Sequence, residues 1–303
     1  MKKKVNRVQV DKFGRVPNIL FSALMLFVGF LGVFPFLFII ILSLTDEQSI
    51  IENGYRLIPS AWSFDGYAYL FTLGSDILRA FFVTVLVTVV GTLINVTVTS
   101  TYAYALSRKY FVYRKFFLII ILIPMLIGAG LVPTYIIVTS LLGLKNSIWA
   151  LILPMALSPF NVIIMRTFFQ KSVPDAIIES ARIDGASEFQ VFRKIVLPLA
   201  VPGIATISLF AAIGYWNDWF NALLYITDKN LMPLQYVLMN IQNNIDFLSE
   251  NASLGASVAS GINIPRESTR MAMVVLSVIP IALSYPFFQK YFVSGLTIGG
   301  VKE

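Results

Sequence analysis

The chain has 303 residues, 57% hydrophobic and 13% charged, with a mean hydropathy of +0.78 and a formal net charge of +7. Soluble domains carry about 25% charged residues, so this composition defines a membrane protein and excludes a soluble domain, which would have to cover apolar runs of about twenty residues. There is no cysteine or histidine, which excludes a disulfide framework, thiolate chemistry, His-ligated zinc and a Ser-His-Asp triad, so neither a metal site nor an enzyme is expected.

In chain order, residues 1–17 are a basic segment resembling the start of a signal peptide. The apolar run behind it, 18–44, is too long for a cleaved leader, so a retained anchor is expected. Five more apolar spans follow at 80–106, 116–140, 148–169, 200–226 and 269–293. Each is long enough to cross a hydrocarbon core of about 30 Å. Pro35, Pro124, Pro133, Pro154, Pro159, Pro280 and Pro286 lie inside them and predict kinks.

The polar content of the spans is small. Thr84, Thr88, Thr92, Thr97 and Thr99 in the second are expected to bond helix to helix. Asn95, Asn161 and the run Trp216, Asn217, Asp218 and Trp219 are candidates for lining a pathway. Asp218 is the one acid clearly inside a span, where a carboxylate costs about 2.5–3.5 kcal/mol unless it faces a cavity or a partner.

The basic residues fall on one side. With the N-terminus inside, 17 of the 23 Lys and Arg residues lie in or beside cytoplasmic segments. Arg56, Arg79, Lys145, Lys229, Arg266 and Arg270 lie outside. This obeys the positive-inside rule, accounts for the net charge without nucleic acid, and puts both termini in the cytoplasm. The external segments are 45–79 and 227–268; the second is rich in Asn, Ser and Gly and is expected to lack a packed core. Its Asn251-Ala252-Ser253 fits a glycosylation sequon that nothing else supports. The tail is 294–303.

Between the fourth and fifth spans lies a charged insert, 170–199. Ser172, Pro174 and Asp175 read as a helix start, and Gly185 as the left-handed residue that ends that helix. Ser187 and Gln190 form a second capping pattern. The next helix carries Phe189, Phe192, Ile195 and Val196 on one face until Pro198 breaks it. Such a hairpin has an apolar side to rest on the spans and polar residues, Glu179, Arg182 and Asp184, to offer a partner. An interfacial helix anchored in headgroups is the plainer alternative.

The spacing decides between them. Glu179, Ser180 and Ala181, then Gly185, then nine residues, then Ile195, Leu197 and Pro198 resemble the E-A-A-x3-G-x9-I-x-L-P loop of the integral membrane subunits of ABC importers. Ser180 for alanine is a small-for-small departure. Six matched positions at ordinary residue usage coincide by chance roughly once in 10⁷ placements. The terminus FFQKYFVSGLTIGGVKE, the stretch GYWNDWFNALLYI and the stretch SPFNVIIMRTFF are similar to the permeases of carbohydrate uptake, on the side resembling the second maltose permease.

The resemblance implies an all-α polytopic membrane protein with six transmembrane helices, the type I ABC importer permease fold and a cytoplasmic coupling helix, in a bacterial plasma membrane. It implies that Glu179, Ser180, Ala181, Asp184 and Gly185 form a docking surface for an ATPase. The implied partners are a second homologous permease, two ATPase subunits and an extracellular or periplasmic sugar-binding protein reached by 227–268, beside membrane lipid. ATP and magnesium would sit on the ATPase subunits, since this chain has no GxxxxGK[ST] pattern. The Trp and Asn residues of the fifth span suit a sugar, whose ring faces stack on aromatics while its hydroxyls bond amides. Alternatives are an ion-gradient-driven secondary carrier, an importer of a non-sugar solute, and a non-transporting membrane scaffold.

Overall fold

The computed structural model describes residues 14–250 and 265–299. The basic leader up to residue 13, the sequon, and Gly300 and Lys302 of the tail lie outside the described residues. Among those described, structure is helical apart from one isolated bridge between Thr45 and Trp62.

The first expected span is α1 (Arg15–Ser43), continuous across Pro35. Two short helices follow: α2 (Glu47–Asn53), whose first turn is capped by the Asp46 carboxylate accepting from the Ser49 amide, and α3 (Asp65–Thr72). Next comes α4 (Gly74–Ser107), 34 residues that begin six positions before the apolar run. The third span is not one rod. α5 (Arg114–Leu126) and α6 (Leu131–Ile136), the latter prolonged by a π turn over Ile137–Leu141, meet at 116°. The joint holds Gly130 at φ +78°, a left-handed conformation that glycine tolerates, with Pro124 and Pro133 on either side.

The fourth span is also bent. α7 (Trp149–Ile152) with a 3₁₀ turn over Leu153–Met155 meets α8 (Pro159–Ser172) at 51°. Pro154 sits in the turn, and Pro159 opens α8 behind a Ser158 cap. Then come α9 (Asp175–Ile183), α10 (Glu188–Val191), a π turn over Phe192–Val196 and α11 (Leu197–Leu199). α12 (Val201–Trp216) leaves this elbow at 81°, three residues beyond Pro198. The fifth span therefore ends as a helix at Trp216 and resumes only as α13 (Phe220–Tyr225). α14 (Leu234–Glu250) and α15 (Arg266–Gly299) complete the described chain, α15 continuous across Pro280 and Pro286. Kinks thus gather where prolines flank a helix end, while Pro35, Pro280 and Pro286 stay within unbroken helices.

Three helices are long and apolar enough to cross a membrane, Val16–Ser43, Gly74–Ser107 and Arg266–Phe287. Counting each bent pair as one span brings six. In the third pair the first member, not α13, joins α12, so the sixth candidate includes the elbow.

α14 corrects the expectation for 227–268. Leu234, Leu238, Ile241 and Ile245 are buried at helical spacing, so the described helix of this segment, Leu234–Glu250, packs an apolar stripe despite its Asn and Gln content.

Residues up to Tyr69 with the first turns of α15, to Val275, make one compact unit. In it, Glu47 caps α15 from α2: its carboxylate accepts the amides of Glu267 and Ser268 at 3.0 Å each and the Ser268 hydroxyl at 3.1 Å. In the second unit, from Leu70, α4 is the spine against which α12 and α8 pack. A Cβ on Gly91 of α4 would stand 2.6 Å from the ring of Tyr215 on α12, and one on Gly203 of α12 2.7 Å from the ring of Phe168 on α8, so small residues set the α4–α12 and α12–α8 contacts.

Of the threonines of α4, only Thr84 reaches another element: its Oγ1 accepts from the Leu234 amide at 2.7 Å, satisfying a first-turn donor of α14. Thr97 donates to its own helix and Thr99 to Asn95. The Oγ1 atoms of Thr88 and Thr92 are buried without a partner.

Candidate functional site

Ser172 does not open the elbow; it is the last residue of α8, and Pro174 occupies the N-cap of α9 with no side-chain cap. Proline's missing amide costs nothing there, and Asp175 begins the first turn with a carboxylate favoured by the helix dipole. The end of α9 follows expectation. Gly185 has φ +82°, its amide donates to Arg182 O at 3.0 Å, and the Ala186 amide donates to Ala181 O at 2.9 Å. These two bonds define a Schellman motif. Ser187 and Gln190 make the reciprocal capping box.

The apolar face is the expected one in part: Val196 is buried and Phe192 packs against the core, but Phe189 does not. Val191, Val196 and Ala200 are fully buried, whereas Phe189 is exposed. The reason is the π turn over Phe192–Val196: its i→i+5 bonds widen the helix, so residues five apart share a face. Together with Val173 and Ile178, these residues join Ala103, Leu106, Met165 and Phe169 in one core. The elbow is therefore packed onto α4 and α8.

What α9 leaves outside is distinct. Glu179, Ser180, Asp184 and Gly185 are exposed, Ala181 is half-buried against the core, and Ile183 is 86% exposed. Arg182 is not free for a partner. Its guanidinium pairs with Glu188 and lies 3.5 Å over the ring of Tyr110. Glu188 also accepts the hydroxyls of Tyr104 at 2.8 Å and Tyr110 at 2.7 Å. Asp175 takes Lys109 at 2.8 Å and lies 3.9 Å from Arg108, itself only 3% exposed. α8 adds Arg166, whose Nε donates to Leu106 O at 3.3 Å. The pairing of Asp175 and Glu188 with Arg108, Lys109, Tyr104 and Tyr110 had no signal in sequence order, because these partners lie up to 84 residues apart.

These charges have a defined pH window. Burial opposes ionisation of Glu188, but the two tyrosine hydroxyls and Arg182 outweigh it and hold the carboxyl below its usual range. The Lys109 bond lowers Asp175, and the same bond raises Lys109. A lowered carboxyl contributes stability above its unfolded value that is lost as pH falls through the folded one. A raised lysine contributes below its unfolded value and loses it as pH rises through the folded one. The fastening should therefore hold from about pH 4 to about pH 10. Thiol labelling of an introduced Ile183→Cys, run against pH with correction for thiol ionisation, is expected to stay flat through neutrality. A step between pH 6 and 7 would contradict these assignments, since the chain has no histidine to titrate there.

The structure scatters the expected pathway residues. Asn95 is buried and donates to Met155 O at 2.8 Å, tying α4 to the bend of the fourth span. Asn161 is buried in the first turn of α8, on the face of Val162 and Met165. Trp216 is buried and its indole donates to Ser277 O at 3.0 Å. Asp218 sits in the break after α12 and caps α13, accepting from the Asn221 amide at 3.2 Å and its side chain at 2.8 Å. Only Asn217 and Trp219 of this group are exposed, and Gln235 of α14 reaches Asn217 at 3.4 Å. No cluster of three or more His, Cys, Asp or Glu residues suited to a metal occurs among the described residues.

Long apolar helices, three bent pairs and a polar elbow between the fourth and fifth spans define a polytopic helical membrane protein. The chain belongs to the family of binding-protein-dependent transport system inner membrane components, whose profile matches residues 96–298. It is 39% identical over 299 residues to protein LplC of Bacillus subtilis (strain 168), covering 99% of both chains. It is 38% identical over 289 residues to the polygalacturonan/rhamnogalacturonan transport system permease protein YtcP of the same organism, covering 95% of this chain and 99% of that one. Its structure matches a chain of a bacterial ABC transporter involved in the import of the acidic polysaccharide alginate, with a TM-score of 0.77 and 28% identity over 93% of this chain and 100% of that one. The fold is the type I ABC importer permease fold.

Proposed function

We propose that this chain is one transmembrane subunit of an ATP-driven importer of a carbohydrate, specifically an oligosaccharide, and that its elbow couples the pathway to ATPase subunits. The observation that carries the coupling is the exposed edge of α9 and its Schellman turn, with Glu179, Ser180, Asp184 and Gly185 outward while Ile178 and Ala181 face the core. A helix fixed at both ends can transmit a push without bending; a mobile loop cannot. The substrate class rests on the relatives named for polygalacturonan/rhamnogalacturonan and for the acidic polysaccharide alginate, with exposed Trp219 and Asn217 as a stacking and hydrogen-bonding pair.

In this reading α9 faces the cytoplasm, as do both termini. The assembly comprises a second permease, two ATPase subunits holding ATP and magnesium, and a sugar-binding protein on the other face. Alternating access follows from contacts of the elbow that differ between open and closed ATPase pairs.

Uptake of oligosaccharides cut from polygalacturonan or rhamnogalacturonan into vesicles carrying the purified assembly with its binding protein tests this. Uptake should require ATP inside the ATPase compartment and survive ionophores. Dependence on an ion gradient instead would favour a secondary carrier, and uptake of only non-sugar solutes would remove the substrate assignment. Asp218→Asn discriminates further. Because Asp218 serves as a cap, for which asparagine is nearly equivalent, transport should stay within about twofold of the parent. Abolition would mark Asp218 as an ion site.

A further inference from the structure

The elbow is joined covalently to α8 through Val173 and to α12 through Ala200, yet its polar fastenings run to neither helix. Among the described residues, its side-chain hydrogen bonds and ion pairs beyond itself all end on the stretch Tyr104–Tyr110, the last turn of α4 and the residues just after it. Glu188, at the start of α10, gathers Tyr104 and Tyr110 while holding Arg182 of α9. Asp175, at the start of α9, holds Lys109 and faces buried Arg108. The two carboxylates stand at opposite ends of the elbow's first helix and turn.

The apolar contacts beneath are non-directional and fix position without fixing angle. Charge-assisted bonds with a planar guanidinium and two phenols fix angle as well. The joint at Ala200, by contrast, is an 81° bend with a single helical turn, α11, before it.

We propose that Glu188 and Asp175 are positioning residues that bind the elbow to α4 as one lever, so that force on α9 turns α4 while the covalent joints at Val173 and Ala200 flex. This rests on the proposal that α9 docks on an ATPase subunit. It differs from it in naming the helix that carries the motion, which is not one of the two helices the elbow connects in sequence.

The absence of cysteine makes the test direct. Spin labels on Leu78→Cys in α4 and Ile183→Cys at the elbow tip, both exposed, are measured by double electron–electron resonance in the assembled complex. In the parent protein, the distance should be the same with the ATPases nucleotide-free and nucleotide-trapped. In Asp175→Asn/Glu188→Ala the distribution should at least double in width, and solute moved per ATP hydrolysed should fall several-fold. Tyr110→Phe, which removes one oxygen, should give a smaller broadening and guards against a folding failure of the double variant. A parent distance that shifts between the two states, or variants with unchanged widths, would overturn the lever. Cross-linking of Ile183→Cys to the ATPase subunit separates the two ideas: its absence sinks the docking, while the label widths judge the fastening to α4.

Discussion

Gly185→Pro is expected to abolish ATP-driven uptake and to release the ATPase subunits from the purified assembly. Gly185 stands at φ +82° and donates its amide to Arg182 O at 3.0 Å. Proline fixes φ near −65° and has no amide, so both the turn and the bond are lost. The adjoining bond from Ala186 to Ala181 O and the Ser187 capping box depend on the same turn. The exposed edge of α9 would lose its orientation while the buried spans keep theirs. Gly185→Ala, which strains the left-handed conformation by about 1–2 kcal/mol, should retain part of the activity. Co-purification of the ATPase with each variant, and uptake in vesicles, check the order parent, alanine, proline. Full uptake by the proline variant would remove the elbow from the transmission path.

Gly91→Leu is expected to prevent the second unit from packing. The ring of Tyr215 lies where any Cβ at 91 would go, at 2.6 Å. Tyr215 is buried and its hydroxyl donates to Ile152 O at 2.8 Å. Displacing the ring overpacks the crossing of α4 and α12, at about 1–3 kcal/mol. It also orphans that carbonyl at the bend of the fourth span, at a further 1–3 kcal/mol or so. Extracted, folded protein should fall by more than half, with a thermal midpoint several degrees below the parent. Gly74→Ala is the contrast, since nothing lies within 4 Å of a Cβ there, and it should leave both readouts unchanged. Equal tolerance at the two sites would mean that the α4–α12 crossing is looser than its geometry.

The parts that sequence revealed were those set by neighbours along the chain. Gly185 and the Ser187–Gln190 box were readable because a cap is a local contest for backbone amides, settled within four residues. The long apolar runs of α1, α4 and α15 were readable for the same reason. The break after Trp216 was missed because it contains neither proline nor glycine. Yet Asp218 lies just before α13 and its carboxylate accepts the amide of Asn221, the kind of local bond by which an acid marks a helix start. In α14 the spacing of Leu234, Leu238, Ile241 and Ile245 was present but hidden by the polar residues between them. The fastening of Glu188 to Tyr104 had no local trace at all, since the pair is joined only by tertiary packing. Asn95 was read as a polar pathway lining and Trp216 as a stacking aromatic; in the structure each donates to a backbone carbonyl, at a bend or on a neighbouring helix.

The wide turn at Phe192–Val196 changes what a fixed nine-residue gap between Gly185 and Ile195 means. One residue in that stretch is surplus to an ordinary α-helical path and is absorbed as a bulge. A homologue lacking it would close a normal turn with both valines, then four apart, still inward. The same loss within α9 would swing its inner side by about 100°. Deletion scanning should therefore find a tolerant notch here inside an otherwise intolerant elbow, and a pattern search with a rigid count would pass over chains whose three-dimensional corner is the same.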